Sequence, residues 1–203
     1  MADASDDDIE GATLAGQDIV LLRHPVSPAF AGLVARITGY RETSGRAARM
    51  TETASLIVPL VIGFGAPFAI ALGREPRPGE RWASFTAGLT GFPVSIVSPG
   101  AAHCIQIDFT PLGAYRFFGR PMRLFADRIV EIDDLEDGSL IALRERLGAV
   151  RRWSARFALV ERFLARRLAE GPAAAPEIGL AYGAIVASGG AVRIAAIAGE
   201  VGW

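Results

Sequence analysis

The chain has no lysine, one cysteine and two histidines among its 203 residues. The low counts of cysteine and histidine exclude an intrachain disulfide and a metal site built from three histidines. The single cysteine, Cys104, cannot form a disulfide within the chain, and its apolar surroundings favour a small buried residue over a reactive thiol. The two histidines, His24 and His103, are too few for a metal site built from three imidazoles. All 21 basic residues are arginine, which indicates a base-composition bias in the coding sequence rather than selection for guanidinium chemistry.

The chain also lacks a long uninterrupted apolar run. Its longest apolar stretch, Leu56–Ala71, contains two prolines and two glycines, which exclude a regular membrane helix of about 20 residues. The first ten residues, M-A-D-A-S-D-D-D-I-E, carry five acids where a secretory signal needs a positive start and an apolar core. We therefore expect a cytoplasmic protein that does not associate with membranes.

The overall composition is that of a globular protein, with 51% hydrophobic and 21% charged residues. The length suits one domain of ordinary size, or one domain with an appendage. A net charge of −1 excludes a generally basic protein that coats nucleic acid. Thirteen of the arginines lie from Arg116 onward, and we expect most of them on solvated helix faces.

The most informative stretch is a predicted strand followed at once by a predicted helix. Alternation over His103–Phe109 places the odd-numbered residues on one face and the even-numbered residues on the other, as in a half-buried strand. Thr110 can cap a helix through its hydroxyl, Pro111 suits the first helical position, and Gly119 permits the turn after the last one. A helix is predicted over Pro111–Phe118.

Before this junction the chain reads as short strands separated by glycine and proline. Six to eight such strands favour a barrel or a sandwich of two sheets. The predicted strands are Asp18–His24, Leu33–Glu42, an apolar strand within Met50–Ile62 that Pro59 places at an edge or bulge, Pro67–Leu72, Trp82–Ala87, Val94–Val97 and His103–Phe109.

After the junction the chain reads mainly as helices, predicted over Leu140–Leu147, Trp153–Leu168, Glu177–Ala187 and Val192–Val201, with a short extended segment at Arg128–Ile132. The clearest helix, Trp153–Leu168, has an apolar stripe at spacings of three and four residues. Two interpretations stay open for this stripe. It packs on the chain's own strands and neighbouring helix, or it contacts a second copy in a homodimer.

Three stretches together resemble the bacterial AraC/XylS-type transcription regulators. Ile105–Met122 reads I-Q-I-D-F-T-P-L-G-A-Y-R-F-F-G-R-P-M and Asp127–Leu135 reads D-R-I-V-E-I-D-D-L, as in the sensor half of that family. Gly189–Trp203 reads G-G-A-V-R-I-A-A-I-A-G-E-V-G-W, which is similar to the entry into the family's DNA-binding domain, where a first helix of pattern V-R-I-x-x-L-A-x-x-V-G-W precedes the recognition helix.

The resemblance implies an α+β organisation in four parts. Residues 1–16 are expected to be a loose acidic tail, 17–135 a cupin-like β-barrel or sandwich sensor domain, 136–170 a helical region of the kind that commonly mediates dimer contacts, and 176–203 the truncated start of a helix-turn-helix domain. Because the sequence ends at Trp203, DNA is expected to be bound only through a full-length protein. Arg193 is the candidate DNA contact, although an arginine at a helix start is often merely solvated.

The resemblance also implies a small-molecule effector bound inside the barrel. We expect the odd-numbered face of the central strand to line that pocket, with Gln106 and Asp108 facing outward. The candidate ligand-binding residues are His103, Trp82, Ser84, Phe85, Ile105 and Phe109. The competing interpretation is that these side chains simply pack the core, with His103 a satisfied core or loop histidine.

Enzyme chemistry is not expected. A cupin metal site needs three histidines and a carboxylate, which this chain cannot supply, and it has no G-x-S-x-G, G-x-G-x-x-G or P-loop motif. We predict no catalytic residue, no metal and no cofactor. The leading hypothesis is the effector-sensing and dimerising portion of a DNA-binding transcription regulator. The alternatives are a stand-alone cupin-like binding protein or metal-free enzyme, and an interaction protein that pairs with full-length regulators and blocks them.

Overall fold

The computed structural model describes residues 11–13 and 19–203, and these form a mixed α and β chain with two antiparallel sheets. The strands are β1 (Gly11–Thr13), β2 (Ile19–His24), β3 (Val34–Glu42), β4 (Ala48–Glu52), β5 (Val58–Gly63), β6 (Phe68–Leu72), β7 (Arg81–Trp82), β8 (Phe85–Ala87), β9 (Val94–Ser98), β10 (His103–Phe109) and β11 (Ile129–Glu131). The helices are α1 (Pro111–Phe118), α2 (Gly138–Ala149), α3 (Trp153–Glu170), α4 (Pro176–Ala187) and α5 (Ile194–Val201), with short 3-10 turns at Pro28–Phe30, Met122–Leu124 and Asp133–Leu135.

The larger sheet has seven strands in the order β1-β2-β3-β10-β5-β8-β11, and the smaller sheet has four in the order β4-β9-β6-β7. From β3 to β10 the chain passes back and forth between the two sheets, so neighbouring strands in sequence often belong to different layers. Among the described residues the sheets stay separate, and no ladder closes them into a barrel. A sandwich of two sheets is therefore the observed arrangement.

The larger sheet is buried on both faces. One face packs against α1, α2 and α3 in a cluster that includes Ile37, Ile107 and Phe109. The opposite face meets the smaller sheet in a second cluster of Val61, Phe68, Ile70, Phe85, Ala102 and Cys104. The protein thus has three layers, with the larger sheet in the middle.

The junction between β10 and α1 is as the sequence predicts. α1 spans Pro111–Phe118, the Thr110 hydroxyl accepts a hydrogen bond from the Gly113 amide at 3.0 Å, and Gly119 ends the helix with a φ of 62°. These local contacts satisfy backbone groups that the helix ends leave unpaired. The later helices also match their predicted positions to within three residues at each end.

Two predicted strands are each divided between the sheets. Met50–Ile62 splits into part of β4 in the smaller sheet and β5 in the larger, and Trp82–Ala87 splits likewise into parts of β7 and β8. The prediction that Pro59 marks an edge or bulge is wrong, because β5 lies inside the sheet between β10 and β8. Pro59 is tolerated near the start of β5, where its carbonyl accepts a hydrogen bond from the Thr86 hydroxyl at 2.9 Å.

The apolar stripe of α3 packs within its own chain. Trp153, Phe157, Val160, Leu164 and Leu168 are all buried against the larger sheet and the neighbouring helices. This arrangement answers the question that the sequence left open in favour of the intrachain interpretation. A homodimer stays a prediction, but this stripe is not available to form it.

α4 and α5 contact each other and make few contacts with the three layers. Ile197 of α5 is buried, whereas Ile178, Leu180, Val186, Ile194 and Trp203 expose much of their apolar surface. Among the described residues, no helix combines the length and apolar character needed to cross a membrane. The loose tail predicted for residues 1–16 lies outside the described residues except at Gly11–Thr13, which pair with β2.

The close contact between Gly39 on β3 and Trp153 on α3 generates a testable prediction. A Cβ atom at Gly39 would lie 2.5 Å from a carbon of the Trp153 ring, so Gly39→Ala should lower the free energy of unfolding by about 1–3 kcal/mol through overpacking. Urea unfolding measures this change. The penalty should shrink in a Trp153→Leu background because the two positions are in contact.

Gly183→Ala is the matched control for this experiment. Gly183 lies inside α4 with nothing within 4 Å of an added Cβ, so alanine there should be neutral or stabilising by up to about 1 kcal/mol. An equal loss of unfolding free energy in both variants would show that contact with the Trp153 ring is not what requires glycine at position 39.

Candidate ligand-binding site

A cavity of about 290 Å³ lies between the two sheets. The larger sheet contributes residues from β2, β3, β5, β8 and β10, and the smaller sheet contributes residues from β4, β6 and β9. A second space of about 420 Å³ adjoins it and shares seven of its lining residues: Arg36, Glu52, Val61, Ile70, Phe85, Ile96 and Gln106. The two spaces together form the candidate site, called the inter-sheet cavity below.

The alternation of β10 decides which of its residues reach this cavity. Cys104 and Gln106 line it, whereas the odd-numbered residues Ile105, Ile107 and Phe109 are fully buried in the cluster beneath the helices. The sequence leads to the expectation that the odd-numbered face lines the pocket, whereas in the structure the even-numbered face lines the cavity. The reason is physical: the face that carries Ile105, Ile107 and Phe109 is covered by helices, while the face with Gln106 and Asp108 meets the smaller sheet.

β3 follows the same rule. Arg36, Thr38 and Tyr40 line the inter-sheet cavity, while Ile37 and Gly39 lie toward the helices. Because β3 pairs with β10 along its length, these side chains form one continuous wall. Most of the remaining lining is apolar, from residues such as Leu21, Val61 and Phe68.

A fixed polar group stands at one side of the cavity. The Arg36 guanidinium donates to Asp108 Oδ2 through Nε at 2.7 Å, and the Gln106 amide donates to Asp108 Oδ1 at 2.8 Å. The Asp108 side chain is only 2% exposed, while that of Arg36 is 54% exposed. A buried carboxylate is stable when it is paired and hydrogen-bonded in this way, so these three side chains form a rigid polar wall.

Glu52 approaches the same group from the smaller sheet. It lines both parts of the cavity, and the residue as a whole is exposed. Partial burial raises the pKa of its carboxyl above the usual range, and the Asp108 carboxylate adds to the rise while Arg36 opposes it. No hydrogen bond or ion pair to a described residue holds Glu52, so its carboxyl is available to a ligand.

A second hydrogen-bonded carboxylate, that of Glu42, holds Tyr40, which lines the cavity. Glu42 is buried and accepts hydrogen bonds from the hydroxyls of Tyr40 and Ser98 and from the Ala102 amide. Burial and the bond to Glu42 raise the pKa of Tyr40, so the phenol stays protonated. Burial raises the pKa of the Cys104 thiol to about 12, so Cys104 forms an unreactive apolar wall.

Of the six predicted ligand-binding residues, Phe85 lines the inter-sheet cavity. Ser84 is fully buried and bonds the backbone of Gly63, as donor at 3.2 Å and acceptor at 3.0 Å. Trp82 packs at the edge of the inter-sheet cluster and donates to the Ile70 carbonyl at 3.1 Å. Ile105, Phe109 and His103 lie on the helical side of the larger sheet.

His103 belongs to an aromatic and cationic group rather than to the cavity. Its Nε2 lies 2.9 Å from Arg156 Nη1 and its ring contacts those of Phe64 and Trp153. The buried Arg156 guanidinium also stacks over the rings of Phe64 and Trp153. Because arginine is always a donor, His103 Nε2 is the acceptor and the imidazole is neutral. In the fold, His103 therefore helps to position Arg156 beneath the larger sheet.

Two further predictions concern metals and DNA. Among residues 11–13 and 19–203, no three histidine, cysteine or acidic side chains come together as a metal site. His24 stacks on Phe157 of α3 with 4.5 Å between ring centroids and lies apart from the cavity lining. Arg193 is exposed at the start of α5. Its contact with DNA remains a prediction.

Sequence reasoning missed most of the polar wall. The signal that was present is the run Arg36, Thr38, Tyr40, which places three polar or amphipathic side chains on one face of a strand. Such a face is usually solvent-exposed, and only the pairing of the smaller sheet across it turns it into a cavity wall.

Comparison with known proteins adds no relative: no protein-family model, no curated protein and no solved structure matches this chain.

The position of His103 predicts a pH dependence of stability. Burial, and then the charges of Arg156 and Arg41, lower the pKa of His103 to about 4. The unfolded chain, with an ordinary histidine pKa of about 6.5, takes up this proton at higher pH than the folded chain does. The stabilisation is therefore complete above pH 6.5 and is lost as the pH falls toward 4.

Chemical unfolding between pH 7.5 and pH 4.5 checks this expectation. Because His103 is only half-buried, we expect this group to contribute a loss of roughly 1–2 kcal/mol rather than the full linkage value. His103→Gln keeps an acceptor for Arg156 but cannot titrate, so its unfolding free energy should fall less over the same range. Parallel profiles for the two proteins would contradict the assignment.

Proposed function

We propose that this chain is the effector-sensing part of a DNA-binding transcription regulator, in which a small molecule binds between the two sheets and biases an attached helix-turn-helix domain. The observation that carries the proposal is the inter-sheet cavity, a mostly apolar space with a few fixed polar groups. The similarity to AraC/XylS-type sensors, including their cupin-like organisation, is part of this proposal.

The size and lining of the cavity suit a small ligand. Of its two parts, the first, of about 290 Å³, is just below the range of about 300–1,000 Å³ typical of ligand sites, and the second, of about 420 Å³, is in the lower part of that range. Apolar walls with a small number of placed polar groups are the usual composition of such sites. The ligand we expect is a compact molecule with an apolar body and one polar end.

The polar end has two candidate partners. Arg36 and Asp108 already neutralise each other at 2.6 Å, so the group that they form can orient a ligand through remaining hydrogen-bonding capacity. Glu52 has a raised pKa and no described partner, and a cationic or hydroxyl group on the ligand would supply one. An amine or an alcohol is therefore favoured over a second carboxylate, which would face both Glu52 and Asp108.

The two faces of β3 provide a route from ligand to helices. Thr38 and Tyr40 line the cavity, and Gly39 between them lies directly under the Trp153 ring on the opposite face. A ligand that pushes β3 toward α3 must displace α3 as well, because the contact leaves no space between them. Such a ligand shifts the equilibrium between two arrangements of β3 and α3 only to the extent that it binds one arrangement more tightly than the other.

The regulator half of the proposal draws support from the C-terminal helices. α4 and α5 interact with each other more than with the layers, and α5 lies where the V-R-I motif predicts a first helix. Its Ile194 side chain is 72% exposed, which fits an apolar face that packs on further helices of a DNA-binding domain. Arg193 precedes this helix as the candidate phosphate contact.

A head-group series tests ligand binding. Octylamine, octanol and octanoate share one apolar chain and differ in charge, and thermal unfolding with each reports binding. At about ten times the dissociation constant a ligand stabilises by about 1.4 kcal/mol, which raises the Tm by about 3–6 °C for a chain of this size. We expect a shift with the amine or the alcohol and little with the carboxylate.

Two variants of β9 show whether any shift comes from the inter-sheet cavity. Ile96 lines the cavity and Val97 does not, so Ile96→Phe should remove the shift and Val97→Phe should retain it. A shift that survives Ile96→Phe would count against this site. Hydrogen exchange with bound ligand then separates the hypotheses: altered protection in α4 supports a sensor, and unchanged protection supports a stand-alone binding protein.

A further inference from the structure

Two loops cross between the sheets and line the inter-sheet cavity. The first, residues 53–57, runs from β4 in the smaller sheet to β5 in the larger sheet and is called the strap below. The second, residues 88–93, runs from β8 in the larger sheet to β9 in the smaller. Ala54 and Ser55 of the strap and Thr90 of the second loop line the cavity. Here the cavity is bounded by loops as well as by paired strands.

A further space lies against the same two loops. It is a largely exposed hollow of about 380 Å³, lined again by Ala54, Ser55 and Thr90 and also by Leu56 and Leu89. Because three residues line both the cavity and the hollow, they form the partition between the two spaces. All three have short, uncharged side chains, so a small displacement of either loop would join the hollow to the cavity.

The two loops differ in how firmly they are held. Within residues 11–13 and 19–203, no backbone or side-chain group of the strap takes part in a hydrogen bond. The second loop is held at both ends, where the Gly88 amide donates to the Arg128 carbonyl at 3.2 Å and the Gly73 amide donates to the Pro93 carbonyl at 2.8 Å. Segments with few protected hydrogen bonds open at low free-energy cost, so the strap can move while the second loop stays in place.

The cavity has a second flank, which is charged. It lies along β4, the edge strand of the smaller sheet, where Met50 is 40% exposed and Arg23 and Arg36 line the cavity. A ligand with an apolar body would meet two guanidinium groups there. In the hollow it contacts Leu56 and Leu89 instead, and contact with apolar side chains is favourable for such a ligand. The strap side is therefore the favoured route.

We propose that the strap is the gate of the inter-sheet cavity. Ligands enter between the moving strap and the fixed 88–93 loop, and the side chains of Ala54, Ser55 and Thr90 set the size of what passes. The identity of the ligand rests on the function proposed above. The opening of the gate is a property of the free protein, so it can be measured without that ligand.

Cys104 reports on access to the cavity. It is the only cysteine of the chain, lines the cavity and is 3% exposed. Methyl methanethiosulfonate is a small neutral reagent. The Cys104 thiolate attacks its sulfenyl sulfur, a mixed disulfide forms and methanesulfinate leaves. Burial raises the pKa of this thiol, so all variants are compared at one alkaline pH, and mass spectrometry of the intact chain gives the labelling rate.

Ala54→Phe and Ser55→Phe narrow the gate, and we expect each to slow the labelling of Cys104 several-fold. Ala47→Phe is the matched control. Ala47 is exposed and lies just before β4, as Ala54 lies shortly after it, and it lines neither the cavity nor the hollow. The control should label at the rate of the original protein.

Global unfolding also exposes Cys104, and its contribution is separated with low concentrations of urea. Opening of the strap exposes little surface, so labelling through the gate should depend weakly on urea. Labelling through global unfolding would rise steeply with urea and would follow the unfolding free energy of each variant. A steep dependence in the original protein would contradict the gate.

Equal labelling rates for Ala54→Phe, Ser55→Phe and Ala47→Phe would also overturn the proposal. Octylamine or octanol, where either binds, provides a second check by stopped-flow kinetics. A narrowed gate should slow association and dissociation by the same factor and leave the Kd unchanged, whereas a higher Kd with an unchanged association rate would count against it. If neither compound binds, the proposed function loses support while the Cys104 rates still decide whether the strap is a gate.

Discussion

The rest of the structure depends on the burial of the larger sheet on both of its faces. The odd-numbered side of β10 carries Ile105, Ile107 and Phe109 and is sealed by the helices. The other side carries Gln106 and Asp108, and the smaller sheet covers it. Polar groups on a covered face need partners in place, so Arg36 and Gln106 hold Asp108 at one side, and Tyr40 and Ser98 hold Glu42 at the other.

This constraint also explains why a cavity forms between the sheets. On the helical side, apolar side chains of several elements interdigitate around Gly39, where the Trp153 ring occupies the space that a side chain would take. On the other side, hydrogen bonds hold the side chains of Arg36 and Gln106 on Asp108 and that of Tyr40 on Glu42. Side chains that are held in this way cannot also rearrange to fill the gap between the sheets.

The sequence predicted what is decided locally. Thr110, Pro111 and Gly119 define α1 because caps and turns depend on neighbouring residues, and the stripe of α3 follows from its period. The orientation of β10 was not predictable, since alternation shows that two faces differ but not which layer covers each. Of the candidate site only Phe85 was anticipated. Arg36 and Glu52 come together from different sheets, and such long-range pairing leaves no mark in either strand alone.

Close contacts at both ends of α3 determine how a ligand in the inter-sheet cavity could affect the C-terminal helices. At its start, Trp153 rests on Gly39 of β3 without free space. At its end, Gly171 packs so closely on Arg116 of α1 that a Cβ would lie 1.9 Å from the Arg116 carbonyl oxygen. α1 itself continues directly from β10. β3 and β10 are hydrogen-bonded neighbours in the larger sheet. A ligand that displaces both strands therefore moves the contacts at both ends of α3 together. On the proposed function, a ligand-induced shift of these strands would therefore reach α3 at both of its ends.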